Sequence, residues 1–155
     1  MAKMKNFQLF RWFFLHISNI CCIFAAGNKN LRIQMIATLA EIQKFLDDFH
    51  QKVEVFDLII LNDREKNAKT QAALELTPNG QREVIKSIVV EDYSEGPIKN
   101  LLNAWGDLWV FGKDIKGQEV YIKIAYGIPN SQAICISFHI AEFPMNYPYK
   151  KGGRQ

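Results

Sequence analysis

Three runs rich in β-branched and aromatic residues, Asp107 to Phe111, Glu119 to Tyr126 and Ala133 to Ile140, are separated by Lys116-Gly117 and by Pro129-Asn130-Ser131. Runs of this length and composition pair as strands, and both separators belong to the small set of sequences that fold a chain back on itself. A three-stranded antiparallel meander is therefore expected. Side chains alternate across a strand, so Val120, Ile122 and Ile124 point one way while Tyr121, Lys123 and Ala125 point the other. In the last run Ile134, Ile136, Phe138 and Ile140 take the apolar side, with Cys135, Ser137 and His139 opposite. If the apolar sides meet helices, Tyr121, Lys123, Ser137 and His139 share the open face of the sheet.

The helices to cover that sheet lie upstream. Thr38-Leu-Ala-Glu41 is a capping box, in which the Thr oxygen and the Glu carboxylate satisfy the first free N–H groups of a helix. Leu39, Ile42, Phe45, Leu46, Phe49 and Val53 recur at three- and four-residue spacing behind it, one buried face on a helix of about fifteen residues. Val55 to Leu61 reads as a strand ending at Asn62-Asp63, followed by a charged loop from Asp63 to Thr70 and a short strand or extended arm from Ala72 to Leu76. Thr77-Pro78 opens a second helix, reaching about Ile88, with Val84, Ile85 and Ile88 as its stripe. Glu91 to Pro97 is turn-like. The reading is an α+β domain with two helices packed on one face of a small antiparallel sheet.

A chain of 155 residues holds one ordinary domain. Its first 34 residues stand apart: they contain no Asp or Glu, begin with Lys3, Lys5 and Arg11, and continue through an apolar run from Trp12 to Ala26. That is the layout of a secretory signal. The run is shorter than the roughly twenty apolar residues of a spanning helix and is broken by His16, Ser18 and Asn19, so a membrane anchor is the weaker reading. Asn19-Ile20 also lacks the small residues a lipid-attachment signal places before a cysteine such as Cys21. A misassigned start codon, with translation beginning at Met35, accounts for the same residues and leaves 35–155 as the domain. Cys135 is then the one cysteine present and cannot form an internal disulfide, which fits a cytoplasmic protein with no membrane attachment.

Charge is unevenly spread. The net of +3 hides a body, 35–155, with fourteen bases against sixteen acids. Residues 35–108 hold eight bases and thirteen acids, whereas 109–155 hold six bases and three acids. A bare charge argument for a nucleic-acid surface therefore fails for the whole body and survives only for the last third. There is no GxGxxG, P-loop, HExxH, Gly-x-Ser-x-Gly, CxxC or Cys/His ligand spacing, so neither a cofactor nor a metal is expected.

The expected open face suits phosphodiester chemistry. RNA is cut when its own 2′-hydroxyl attacks the adjacent phosphate, which requires a proton acceptor, a charge stabiliser and a proton donor for the leaving 5′-oxygen. His139 can do either proton job, Lys123 and Lys113 can hold phosphate, and Tyr121 can stack a base or donate a hydrogen bond. Each also has an ordinary structural role open to it: His139 lies between Phe138 and Ile140, Lys123 suits any solvated sheet, and Tyr121 any cross-strand contact. Glu142 can orient His139 or cap the strand end. Cys135 reads as a small buried filler.

The segment from Trp109 to Ile124, followed by Ile134 to Pro148, resembles the MqsR family of toxins; Leu74 to Pro78 and Val90 to Pro97 are similar to the same group. The resemblance covers about residues 35 to 150. It implies a RelE-like fold, metal-independent cleavage of messenger RNA, and neutralisation by an antitoxin encoded alongside, expected to be a helix-turn-helix protein. The family motif Val-Tyr-hydrophobic-Lys matches Val120 to Lys123 and carries Tyr121 over. His139 stands where those toxins have a lysine after their final Ser-Phe, Val110 where they have a glutamine after tryptophan, and Ser94 where a lysine follows the tyrosine corresponding to Tyr93. The implied variant uses His139, Lys123, Tyr121 and Lys113 in catalysis, with Tyr93, Glu142 and Lys150 contacting RNA. The rivals are a module that binds antitoxin or RNA without cleaving, and a secreted protein if the leader is a true signal.

Overall fold

Thr38 starts the first helix in the way the capping box requires: its hydroxyl accepts from the Glu41 amide at 3.3 Å, and the Glu41 carboxylate accepts from the Thr38 amide at 2.8 Å. The computed structural model describes residues 36–150 apart from residue 102. The leader, the start at Met35, Lys151 and Arg154 lie outside those residues. Helix α1 spans Leu39–Phe56 and buries Ile42, Phe45, Leu46, Phe49 and Val53, while Leu39, at its first position, is exposed. It ends at Asp57, whose φ of 71° and ψ of −174° place it in a backbone region that is otherwise almost confined to glycine. The helix thus takes Val55 and Phe56 from the expected strand, leaving β1 as Leu58–Ile60.

Two further elements depart from the sequence reading. The charged stretch expected as a loop and arm is helix α2, Glu65–Ala73. Its buried residues are Asn67 and Thr70, both polar, so it has no apolar stripe for periodicity to reveal. Helix α3, Pro78–Lys86, is capped by Thr77, whose hydroxyl accepts from the Gly80 amide at 3.0 Å. The expected turn after it is a short 3-10 turn running into strand β2, Tyr93–Ile98. Gly96-Pro97 disguised it, yet a proline is admissible here because β2 is an edge strand.

Strands β3 (Leu108–Ile115), β4 (Gln118–Ala125) and β5 (Ala133–Ile140) form the expected meander. The full sheet is five-stranded with order β1-β5-β4-β3-β2, and β1 runs parallel to β5. The expected purely antiparallel sheet is therefore mixed, because the chain crosses from one edge, through α2 and α3, to the opposite edge. Helices α1 and α3 supply residues to one core with Phe111, Val120, Ile122, Ile124 and Phe138 from the sheet. Among the described residues no helix is long and apolar enough to cross a membrane.

One register irregularity decides what each face carries. Lys123 pairs with Ser137, whereas the next residue, Ile124, pairs with Cys135, so Ile136 is an extra residue in β5. Both Ile136 and Ser137 can then face away from the helices. Cys135 turns into the core with Phe138, against the expectation that it lies opposite. Ile134 and Ile136, expected on the helix side, instead join Ala125 in a small second cluster under Leu61, Trp105 and Leu108.

Helix α2 holds this bulge. Strand β1 covers β5 only as far as Cys135. Beyond it, the Asn67 amide donates to Ile136 O at 3.3 Å and accepts from the Phe138 amide at 3.0 Å, and the Thr70 hydroxyl accepts from the Ile140 amide at 2.9 Å. Asn67 also donates to Leu61 O at 2.8 Å. Buried side chains thus replace the missing neighbour strand, and removing them leaves backbone groups without partners. Asn67→Ala is expected to lower the unfolding free energy by about 3 kcal/mol and Thr70→Val by about 1 kcal/mol, read from urea denaturation. A loss below about 1 kcal/mol for Asn67→Ala would show that the clamp is dispensable.

Candidate functional site

The face of the sheet turned away from the helices carries Tyr121 and Lys123 from β4 and Ser137 and His139 from β5. Tyr121 is the register partner of His139, and their rings stack with centroids 5.1 Å apart and planes 19° from parallel. Lys123 lies two residues along the same strand, with its Nζ 5.4 Å from the centre of the Tyr121 ring. All four line a cleft of about 460 Å³, whose walls are Ser94, Glu95 and Val110 on one side and Ala141 to Asn146 on the other. The grouping expected from alternation is therefore present, and the bulge preserves it by keeping Ser137 and His139 outward.

Hydrogen bonding fixes the tautomer of His139. Its Nδ1 is 2.9 Å from Ile140 O. A carbonyl can only accept, so Nδ1 carries the proton and the neutral ring keeps its lone pair on Nε2. Nε2 is then the atom that can take a proton from a bound group and return it.

Glu142 lines the cleft, and its carboxylate is engaged by Lys66 at 2.6 Å. The Lys66 hydrogen bond and charge, and to a smaller degree the charge of His139, hold the Glu142 carboxyl below the usual range. Lys66 sits on α2, a helix whose buried residues are polar, so no periodicity in the sequence brings it to Glu142.

Three expected residues lie elsewhere. Lys113 follows Trp109 and Phe111 onto the helix side of β3, where its ammonium donates to Asp92 at 2.6 Å and to Ser87 O at 2.8 Å. Tyr93 is 1% exposed; its hydroxyl donates to Gly96 O at 2.6 Å and accepts from the Ala37 amide at 3.1 Å. Burial also pushes its hydroxyl up from the usual tyrosine value. Lys150 is outside the cleft lining, its Nζ 4.7 Å from the Tyr147 ring.

The residues missed belong mainly to the segment after β5. Glu119, on the same face as Tyr121, accepts from the Met145 amide at 3.0 Å and from the Tyr147 hydroxyl at 2.8 Å. These bonds draw the segment across the sheet directly over Gly112. A Cβ there would overlap the Tyr147 hydroxyl and come within 2.8 Å of Met145 Sδ, so glycine is needed for close approach. Burial, then the Glu119 carboxylate, raise the Tyr147 hydroxyl well above the usual tyrosine value. Cys135 is buried, and burial pushes its thiol far above the range in which a thiolate forms. Among the described residues no three His, Cys, Asp or Glu side chains are gathered as a cation site.

No protein-family model, no curated protein and no solved structure matches the chain.

Glu119→Ala and Gly112→Ala are both expected to release the crossing segment, accelerating hydrogen exchange at the Met145 amide by about tenfold or more. Unchanged exchange in both variants would refute the pinning. Cys135 supplies a pH test with a definite sign. Its folded-state thiol is raised, so the stability it contributes is complete below the unfolded thiol value of about 8.5 and declines as pH rises beyond it. Cys135→Ala should therefore flatten the fall in urea midpoint between about pH 8.5 and 9.5, where the wild-type slope includes up to about 1.4 kcal/mol per pH unit from this group.

Proposed function

We propose that the chain is a metal-independent endoribonuclease that cleaves messenger RNA, the toxin of a pair neutralised by a co-encoded antitoxin. One observation carries the reading: an imidazole with its Nε2 lone pair available, a phenol and an ammonium share one cleft large enough for a phosphodiester. In the proposed reaction Nε2 of His139 takes the proton of the 2′-hydroxyl as that oxygen attacks phosphorus. The P–O5′ bond breaks, giving a 2′,3′-cyclic phosphate and a 5′-hydroxyl, with the 5′-oxygen protonated by Tyr121 or water. Lys123 lies on the same face to stabilise the charge building on the phosphate oxygens. The nucleophile is part of the substrate, so no metal is needed to generate one. The resemblance to MqsR toxins and the similarity of Val120 to Lys123 to their strand motif support the same reading.

A non-cleaving binding module is the rival, and one feature favours it. Among the described residues that line the cleft, Lys123 is the lone Lys or Arg, against Glu95 and Glu142. Fewer cations mean a weaker hold on the transition state than Lys113 in the cleft would have given.

Induction of the chain in bacteria should arrest growth and produce transcripts ending in 2′,3′-cyclic phosphates. His139→Ala should slow cleavage by about 10²- to 10⁴-fold, the usual worth of a positioned acid or base, and Lys123→Ala by about 10²-fold. Unimpaired growth with intact transcripts, or decay unaffected by His139→Ala, would sink the nuclease reading in favour of the binding module.

A further inference from the structure

Phe143 lines the cleft and is 80% exposed, whereas Phe45, Phe49, Phe111 and Phe138 are buried. It is held at the lip rather than left on a loose end. Glu142, on one side, is bonded to Lys66 at 2.6 Å. Pro144 restricts the backbone on the other, and Met145 is hydrogen-bonded to Glu119 at 3.0 Å. The ring is thus presented to solvent on a segment bonded to the rest of the fold on either side of it.

The second phenyl-type ring of the cleft is already engaged. Tyr121 stacks with His139 at 5.1 Å and has the Lys123 ammonium 5.4 Å from its centre. A planar ligand that enters for chemistry at His139 finds Phe143 as the aromatic surface still to be covered. Other exposed apolar residues, such as Leu101 and Ile128, are absent from the cleft lining.

Resting on the nuclease reading, we infer that Phe143 is the stacking platform for a nucleobase beside the cleaved phosphate, and that the substrate is therefore unpaired RNA. A base inside a duplex is stacked on both faces and paired along its edge, so it cannot also cover Phe143. A splayed base in a single strand can, and any base has a π-face to offer, which makes such a platform tolerant of sequence.

The test uses the full chain and a random pool of short 2′-fluoro RNAs carrying 2-aminopurine, which cannot undergo 2′-hydroxyl attack. Wild-type protein should quench the single-stranded pool and bind the same pool in duplex form much more weakly. Phe143→Ala should weaken single-strand binding by about ten- to a hundredfold, Phe143→Leu nearly as much, and Phe143→Trp should retain it. Circular dichroism of each variant should be unchanged, because the ring is outside the core. Equal binding by Phe143→Ala, or equal binding of duplex and single strand, overturns the platform, as does absence of binding to either. Cleavage of natural RNA by wild type and His139→Ala, run in parallel, reads the nuclease proposal separately. Intact RNA with Phe143-dependent binding would overturn catalysis while leaving the platform in place.

Discussion

Strand β5 is asked to be two things along eight residues. For its first three it is a buried strand with neighbours on both sides; after Cys135 it loses β1 and would present bare N–H and C=O groups toward α2. An unpaired backbone there carries a cost comparable to a lost hydrogen bond for every group sealed from water. Asn67 and Thr70 remove that cost by supplying an amide and a hydroxyl where a strand would have supplied peptides. Because an asparagine side chain mimics one peptide unit, it can serve an acceptor and a donor two residues apart, at Ile136 and Phe138, the spacing at which backbone groups of a strand face the same edge.

The cleft follows from this local irregularity. With strict alternation counted back from Phe138, Ile136 and Ile134 would lie in the core and Cys135 on the open face. The extra residue reverses both assignments. It divides the outer surface in two, with Ala125, Ile134 and Ile136 under Trp105 and Leu108 at one end, and Tyr121, Lys123, Ser137 and His139 at the other. Gly112 places the wall that follows β5 by letting the Tyr147 hydroxyl come down onto the sheet to meet Glu119.

How much of this could be read from the chain depended on the range of the signal. Capping at Thr38 and Thr77 and the stripe of α1 are set within a few residues, and they were legible. So was the shared face of Tyr121, Lys123 and His139, because alternation and antiparallel pairing are local rules, and because the bulge falls before Ser137 rather than after it. Helix α2 was hidden since what it buries is polar, and β2 because a proline there is allowed only by its edge position, a fact of the whole sheet. Lys113 lies on the helix side because β3 runs past Phe111 to Ile115, and the alternation that buries Trp109 and Phe111 carries it there. Glu119, Gly112 and Tyr147 meet only through a long-range crossing, and no spacing in the sequence records it.

The charge pattern illustrates the same limit. Residues 109–155 are basic by count, yet the described lysines among them are largely committed away from the cleft. Lys113 is bound to Asp92 with both partners mostly covered, Lys116 reaches Leu74 O and Glu75, and Lys150 lies over Tyr147. Lys123 is left on the cleft face, while Lys66, from the acidic half, cancels Glu142 at its rim. A regional net charge raises the concentration of an anion nearby but does not hold it in one geometry. On the proposed reading, a cleft with one lysine among its described lining residues would release few counterions on taking up RNA, and its affinity would depend weakly on salt and rest mainly on stacking and hydrogen bonds. An exposed ring at the lip matters more in such a cleft than it would on a strongly basic surface.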